Sequence, residues 1–361
     1  MKIIQIVPRL PPEVDGLGDY ALNLARQFRK YFGIESHFIA CYSNYYTGGT
    51  IEGFKVTYLK EHSATLLLSE LIKSESTHAI LVHYVGYGYA KRGAPIWLIQ
   101  GLQKWRNYNQ RVRLLTMFHE IYAKGPIWTS SFWLSPLQKY LAARLARLSN
   151  VCFTSRQGYA GILSTLNGSR CNPIITLPVF SNIGEPEEIP LLLKNRKRRI
   201  IIFGGRGNRL RVYEKSIADL ERVCRSLEIE EIIDVGPTIS LSSTQVNGIP
   251  LTRMGKMATK EVSDLLSNSI VGFFHYDTAF LAKSTIFAAY SAHRLIPISA
   301  SCGTVQADGL EANTHYWVAN SEMKNLNLAI GQKIADNAYN WYQNHRLAEH
   351  VKTFVTEMGV N

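Results

Sequence analysis

Acidic residues are absent from a long stretch of this sequence in which basic ones collect. Between Ile121 and Gly184 there is no aspartate or glutamate, while Lys124, Lys139, Arg144, Arg147, Arg156 and Arg170 all fall there. The imbalance belongs to one half of the chain. Residues 1–180 hold 20 Lys and Arg against 9 Asp and Glu, a net of +11; residues 181–361 hold 20 against 19, a net of +1. The first half is therefore expected to face something anionic, whether a membrane leaflet, a phosphorylated substrate or nucleic acid. No RNA- or DNA-binding module pattern is present, so nucleic acid is not the expected partner.

Other absences narrow the chemistry. No apolar run approaches the roughly 18 residues that span a bilayer. The opening MKIIQIV stops at Pro8, too short for a secretory core, so a cytoplasmic location is expected. The five cysteines (Cys41, Cys152, Cys171, Cys224, Cys302) are odd in number and lack C-x-x-C spacing, as reduced and mostly buried thiols would be. Neither D-x-D nor G-x-S-x-G occurs, and H-E-x-x-H fails at Ala123. Metal-held diphosphate, zinc proteolysis and serine hydrolysis therefore lack support, and no metal is expected.

What is present is the pattern of an α/β protein. With 361 residues, 46% hydrophobic and 19% charged, the chain suits two globular domains. Apolar runs at 2–7, 36–40, 79–85, 113–118 and 151–154 read as buried parallel strands, with helices at 17–31, 64–74, 95–107, 131–148 and 156–166. A proline- and glutamate-bearing segment ending in a basic run reads as a linker over 181–198. The pattern then restarts, with strands at 199–203, 231–235, 269–274 and 294–299 and helices at 213–227, 259–268 and 284–293. A helical tail follows from about 320. The expected division is 1–180, 181–198, 199–335, and a C-terminal helix over 336–361. Two doubly wound halves place a ligand cleft between the C-terminal edges of two sheets.

Residues 16–21, GLGDYA, match the dinucleotide fingerprint G-x-G-x-x-A. That fingerprint needs its first glycine directly after strand one and an acid about twenty residues on. Here eight residues, Pro8 to Asp15, intervene, and the second strand runs into FIACYSNYY without an acid. NAD is therefore excluded as a cofactor. The loop Gly16, Leu17, Gly18, Asp19 either offers backbone N–H groups to an anion at a helix start or is a plain turn.

Three further segments carry candidate chemistry. In IIIFGGRGNRLR (200–211) glycines allow a close approach while Arg206, Arg209 and Arg211 crowd the same turn. A diphosphate clamp is one reading, and arginines lying along the surface the other. In AKSTIF (282–287) Ser284 is a good N-cap, the amides of Ser284 and Thr285 suit a phosphate, and Lys283 adds a point charge; ordinary capping is the alternative. In FHE (118–120) His119 ends a strand, where it either meets a substrate hydroxyl or is structural. Trp128, Phe132 and Trp133 lie in the acid-free segment and suit a membrane interface or a core.

Together these segments resemble the GT-B glycosyltransferases, and within them the retaining family 4, over nearly the whole chain. The stretch D-G-L-G-D-Y-A-L-N-L-A is similar to that family's N-terminal glycine loop, FHE to its histidine segment, LPVFSNI (177–183) to its interdomain segment, and FGGRG (203–207) to its diphosphate turn. TRMGKMATKEVSDLLSNSIVGFF resembles the stretch framing the nucleotide base, around Met254 and Gly255. One departure stands out: the family's paired glutamates are missing, since no glutamate lies between Glu261 and Glu311. The lysine usual a few residues after the diphosphate turn has no clear counterpart, and Lys215, Arg209 and Lys283 are the candidates to substitute for it.

The resemblance implies two Rossmann-like domains, the first binding acceptor and the second a nucleotide-diphosphate sugar, with no cofactor besides that donor. It implies catalytic roles for His119 and Glu120. Donor diphosphate and sugar contacts would come from Gly16, Leu17, Gly18, Asp19, Arg206, Arg209, Lys283, Ser284 and Thr285, and base contacts from Met254 and Gly255. The expected reaction moves a hexose, from UDP-glucose or UDP-galactose first, to a glycan or lipid-linked glycan with retention, in polysaccharide biosynthesis at an anionic inner membrane face. The other reading is a catalytically silent nucleotide-sugar-binding scaffold or regulatory subunit.

Overall fold

A computed structural model of the chain describes residues 1–11, 16–42, 49–74, 77–168, 172–241, 243–300, 306–319 and 326–359. Cys171 and Cys302 lie outside the described residues; Cys41, Cys152 and Cys224 are buried free thiols. The chain divides into two compact units, 1–177 with 347–361, and 178–346.

The first unit is built on eight strands: β1 (Lys2–Val7), β2 (Glu35–Ala40), β3 (Gly49–Ile51), β4 (Phe54–Tyr58), β5 (Thr77–Tyr84), β6 (Arg113–Phe118), β7 (Val151–Thr154) and β8 (Ile174–Thr176). They lie in the order β3-β4-β2-β1-β5-β6-β7-β8, all neighbours parallel except the β3–β4 hairpin. Apolar runs such as IIQIV and AILVHY are buried along their length, as strands covered on both faces must be. The helices are α1 (Gly16–Phe32), α2 (Ala64–Lys73), α3 (Gly86–Tyr89), α4 (Ile96–Tyr108), α5 (Ser130–Leu148) and α6 (Gln157–Asn167). In α1 the residues Leu17, Tyr20, Ala21, Leu24, Ala25 and Phe28 form one buried stripe at helical spacing.

The second unit carries β9 (Lys197–Phe203), β10 (Glu231–Val235), β11 (Gln245–Val246), β12 (Ile249–Gly255), β13 (Ser269–Phe274), β14 (Ile296–Ser299) and β15 (Trp317–Val318). Their order is β11-β12-β10-β9-β13-β14-β15, parallel apart from the β11–β12 hairpin. Its helices are α7 (Arg206–Lys215), α8 (Ile217–Ser226), α9 (Thr259–Ser267), α10 (Thr285–Ala292) and α11 (Leu328–Gln343). The last helix, α12 (Leu347–Glu357), belongs to the first unit. There Phe354 packs on Phe28 and Phe153, with ring centroids 6.4 and 4.4 Å apart.

Three details differ from the sequence reading. The segment expected as a linker, 181–198, is clasped inside the second unit. Ser181 N–H donates to the Tyr342 hydroxyl at 3.0 Å, Tyr342 donates to Glu185 at 2.7 Å, and the buried Arg196 guanidinium donates to the carbonyls of Leu191, Ser269 and His293. The helix expected over 213–227 is two helices that break at Ser216, whose hydroxyl meets His275 Nδ1 at 2.7 Å. The C-terminal tail likewise breaks between Gln343 and Leu347, so residues 336–343 stay with the second unit.

Candidate active site

The second unit gathers its candidate residues on one edge of its sheet, because parallel strands all end on the same side. At the end of β9, Gly204 N–H donates to Val235 O at 3.2 Å, and at the end of β10, Gly236 N–H donates to Gly255 O at 2.9 Å. A Cβ on Gly236 would stand 2.2 Å from Gly204 O, and its φ of +149° disfavours any side chain. Backbone alone therefore forms the shelf where β9, β10 and β12 end. Gly255 closes β12, and beside it Met254 is 43% exposed.

From that shelf α7 starts at Arg206. Its cap position, Gly205, has no side chain, so the first-turn amides receive no side-chain cap. Arg206 is exposed beside them, an arrangement suited to an anion by both hydrogen bonding and dipole. Arg211 and Lys215, further along α7, lie close enough to His275 to help depress its pKa, after burial itself. Positive charge is thus concentrated near the ends of β9 and β13.

Arg209 is a correction to the expected donor contacts. Its side chain is 2% exposed; it donates from Nε to Gly204 O at 2.9 Å, pairs with Asp234, and donates to Pro237 O. Tyr213 donates to the other Asp234 oxygen at 2.8 Å. This guanidinium is buried and braces the glycine shelf from inside.

Lys283 ends a short 3-10 stretch, Thr278–Lys283, and Ser284 caps α10, accepting from Phe287 N–H at 3.2 Å. Ser284 N–H itself donates to Leu281 O at 2.9 Å. The expectation that this amide meets a phosphate is therefore also corrected, and the first-turn N–H groups left to α10 are those of Thr285 and Ile286.

In the first unit, the glycine loop opens α1. Gly16 is exposed with nothing near its missing Cβ, whereas a Cβ on Gly18 would sit 2.6 Å from Arg9 O. The second glycine is thus required by packing against the chain leaving β1. Leu17 is buried in the core, and Asp19 supplies an acid in the first turn.

His119 stands just past β6, on the same sheet edge, with its N–H on Tyr84 O at 3.0 Å, and Glu120 beside it is exposed. Its ring is held by residues the sequence reading missed. His119 Nε2 lies 3.3 Å from His83 Nδ1, His83 Nε2 lies 2.8 Å from Gln5 Oε1, and Gln5 Nε2 donates to Ser36 Oγ at 2.9 Å. Tyr20 of α1 sets its ring edge-on to His119 at 4.9 Å and its hydroxyl 2.9 Å from His350 Nδ1 of α12. Gln5, His83, Tyr20 and His350 are all buried. The available signal was a polar residue inside an apolar strand, in KIIQIV and in AILVHYV.

A third feature of this unit is a surface. Trp128, Trp133, Ile127 and Phe132 are 82, 72, 61 and 42% exposed. An apolar groove of about 520 Å³ runs beside them between Tyr122, Phe132, Trp133 and Pro136, flanked by Lys124 and Lys139. Of the two readings of these aromatics, core and interface, the structure selects an exposed surface. Among the described residues no helix is long and apolar enough to cross a membrane, and no three His, Cys, Asp or Glu gather as a metal site would require.

No protein-family model matches this sequence, and no curated protein does. Solved structures do match. An α-glucosyltransferase in complex with UDP-glucose and DNA containing an abasic site aligns over 100% of this chain and 99% of its own, with 11% identity and a TM-score of 0.62. This chain has the GT-B fold. OtsA in its apo form aligns over 99% of this chain and 98% of its own, with 10% identity and a TM-score of 0.61. A Listeria monocytogenes protein assigned as a UDP-N-acetylglucosamine 2-epimerase covers 100% and 96%, with 13% identity and a TM-score of 0.56. At such identities the likeness is one of fold. The two expected Rossmann-like α/β halves of a GT-B protein are the two units described above.

Proposed function

We propose that this GT-B protein is a glycosyltransferase that takes a hexose from a UDP-sugar, glucose or galactose first. The observation that carries the reading is the C-terminal edge of the second sheet. There, side-chain-free backbone, the uncapped start of α7 with Arg206, and the start of α10 beside Lys283 lie on one edge. That combination suits a diphosphate. Solved structures of the same fold hold UDP-glucose and UDP.

In transfer, the bond between the anomeric carbon and the diphosphate breaks, and negative charge grows on the leaving oxygen. Arg206, Lys283 and the two helix starts would stabilise that charge through fixed dipoles and donors, with no metal required. His119 and Glu120 would act at the sugar and the attacking hydroxyl, and Met254 and Gly255 at the base. Retention of anomeric configuration rests on the resemblance to family 4.

The acceptor we favour is a glycan or lipid-linked glycan, built into a polysaccharide at an anionic cytoplasmic membrane face. The net +11 of residues 1–180 and the exposed Trp128 and Trp133 support it. The second reading, a silent nucleotide-sugar-binding subunit, is favoured by the absence of any glutamate between Glu261 and Glu311.

The test is release of UDP from UDP-glucose and UDP-galactose, with lipid-linked glycans or DNA carrying an HMU base as acceptors. Release that depends on the glycan supports the proposal. Binding without release selects the scaffold. Release that depends on DNA alone overturns the acceptor, and an absence of nucleotide-sugar binding overturns the whole reading.

A further inference from the structure

Residues 130–137, the start of α5, stand clear of the core. Every buried residue of that helix comes at Gln138 or later, while Phe132, Trp133 and Pro136 are exposed. The segment that leads into the helix is pinned alongside it. Ala123 N–H donates to the buried Gln138 side chain at 2.9 Å, and Gln138 donates onward to Arg92 O at 2.9 Å. The Lys139 ammonium lies 4.7 Å from the centroid of the Tyr122 ring. Between segment and helix runs the groove of about 520 Å³, walled by Tyr122, Phe132, Trp133 and Pro136. That volume falls within the roughly 300–1,000 Å³ of small-molecule sites.

Two features define what such a groove takes. Its walls are aromatic and aliphatic yet open to water, which marks a surface that an apolar partner covers. Its cations, Lys124 and Lys139, pair with no acid among the described residues, and the sequence supplies none from Ile121 to Gly184. A lysine stem lies along apolar surface and holds its charge at the rim. An apolar chain that ends in a phosphate matches both features. The groove is also close to the candidate site of this unit. Tyr122 is three residues past His119, so the two backbone positions are at most about 11 Å apart.

We propose that this groove is a subsite for the lipid part of the acceptor, with the chain against Tyr122, Trp133 and Pro136 and its phosphate paired with Lys124 and Lys139. A sugar attached to that phosphate is thereby kept in the neighbourhood of His119. The inference rests on the transferase reading for what the lipid carries, but not for the binding of the lipid itself.

The test uses a lipid phosphate small enough to stay monomeric. Farnesyl phosphate, below its micelle concentration and without vesicles or sugar donor, is titrated into the full-length protein and followed by tryptophan fluorescence and calorimetry. Saturable one-to-one binding is expected, with farnesol at least about tenfold weaker and inorganic phosphate not detectably bound. Lys124→Glu combined with Lys139→Glu should weaken farnesyl phosphate by about tenfold or more and leave farnesol unchanged. Ser135→Trp sets a large ring on the groove lining and should weaken both ligands.

The melting temperature of each variant shows whether it folds, and should Ser135→Trp not fold, the charge reversal still decides the matter. Farnesyl phosphate binding that the charge reversal leaves unaltered overturns the proposal. So does an absence of saturable binding by a protein that still adsorbs to anionic vesicles, which would assign the surface to the leaflet alone. Binding as expected in a protein that transfers no sugar would sink the transferase reading and leave this subsite standing. Transfer to a free glycan without any binding of farnesyl phosphate would sink the subsite alone.

Discussion

Arg206 and Arg209 lie within one turn of α7 and do opposite things. Arg206 is exposed at the uncapped helix start, while Arg209 is sealed against Asp234 and two backbone carbonyls. Arg206→Ala is therefore expected to leave the unliganded melting temperature unchanged and to weaken UDP-sugar binding by roughly 1.5–3 kcal/mol, the loss of a charge-assisted contact. Titration calorimetry with UDP-glucose checks it; unaltered affinity removes Arg206 from the site. Arg209→Ala strands the buried Asp234 carboxylate and should cost about 3–5 kcal/mol of stability by urea denaturation. A change below about 1 kcal/mol would contradict the bracing role. The letters GGRGNRLR give no means of telling the two arginines apart, because burial of Arg209 is set by Asp234, 25 positions away. His119 was legible as a strand-end histidine, but the line of side chains holding it was not, since Ser36, Gln5 and His83 meet only when β2, β1 and β5 are paired.

Among the elements, the start of α1 separates the two glycines of GLGDYA. Gly18→Ala must push the helix away from Arg9 O and should destabilise by roughly 1–3 kcal/mol, whereas Gly16→Ala should be neutral within about 0.5 kcal/mol. Thermal melts of the two variants distinguish them, and equal melts would mean that the turn has no packing constraint. Strands at 2–7, 113–118, 151–154, 231–235 and 269–274 were legible to the residue, because a buried parallel strand is a short apolar run with sharp ends. The hairpins β3–β4 and β11–β12 were missed. Their strands are two to seven residues long and half exposed, so their hydrophobic pattern is weak, although Asn247-Gly248 is a strong turn signal. The segment over 181–198 has the composition of a linker, yet Tyr342 and the surroundings of Arg196 tie it into the second unit.

For the whole molecule, buried and half-buried histidines contribute to the response to acid. Burial lowers the pKa of His83 to about 3, and of His37, His293 and His345 to about 4. In the unfolded chain each titrates near 6.5. Below that pH the unfolded state takes up protons that the native state does not. Stability is therefore full above about pH 6.5 and falls as the pH drops toward 4, by up to about 1.4 kcal/mol per unit for a fully buried histidine such as His83. Urea midpoints between pH 7.5 and 5 check it, and a flat profile would refute it. The charge asymmetry makes a second prediction at this scale: the protein should float with vesicles containing anionic lipid and not with neutral ones, and Trp128→Ala with Trp133→Ala should abolish that binding. Equal flotation with both vesicle types would remove the membrane from the reading.

Local sequence by itself determined the two α/β halves, their main strands and helices, the basic first half, and the glycine turns and His119 at strand ends. Each is encoded by residues adjacent in the chain or spaced at a helix or strand period. Tertiary structure alone decided which arginine is exposed, which glycine is packed, which amide at Ser284 is already used, and what holds His119. The burial of Arg209 and the surroundings of His119 depend on contacts between residues tens to hundreds of positions apart, such as Tyr20 with His350, which leave no periodic trace in the chain. The Ser284 amide and Gly18 are decided by the local path of the backbone at Leu281 and Arg9. GLGDYA shows both sides: its glycines and helix start are legible as letters, but only the approach of Arg9 shows what the second glycine is for.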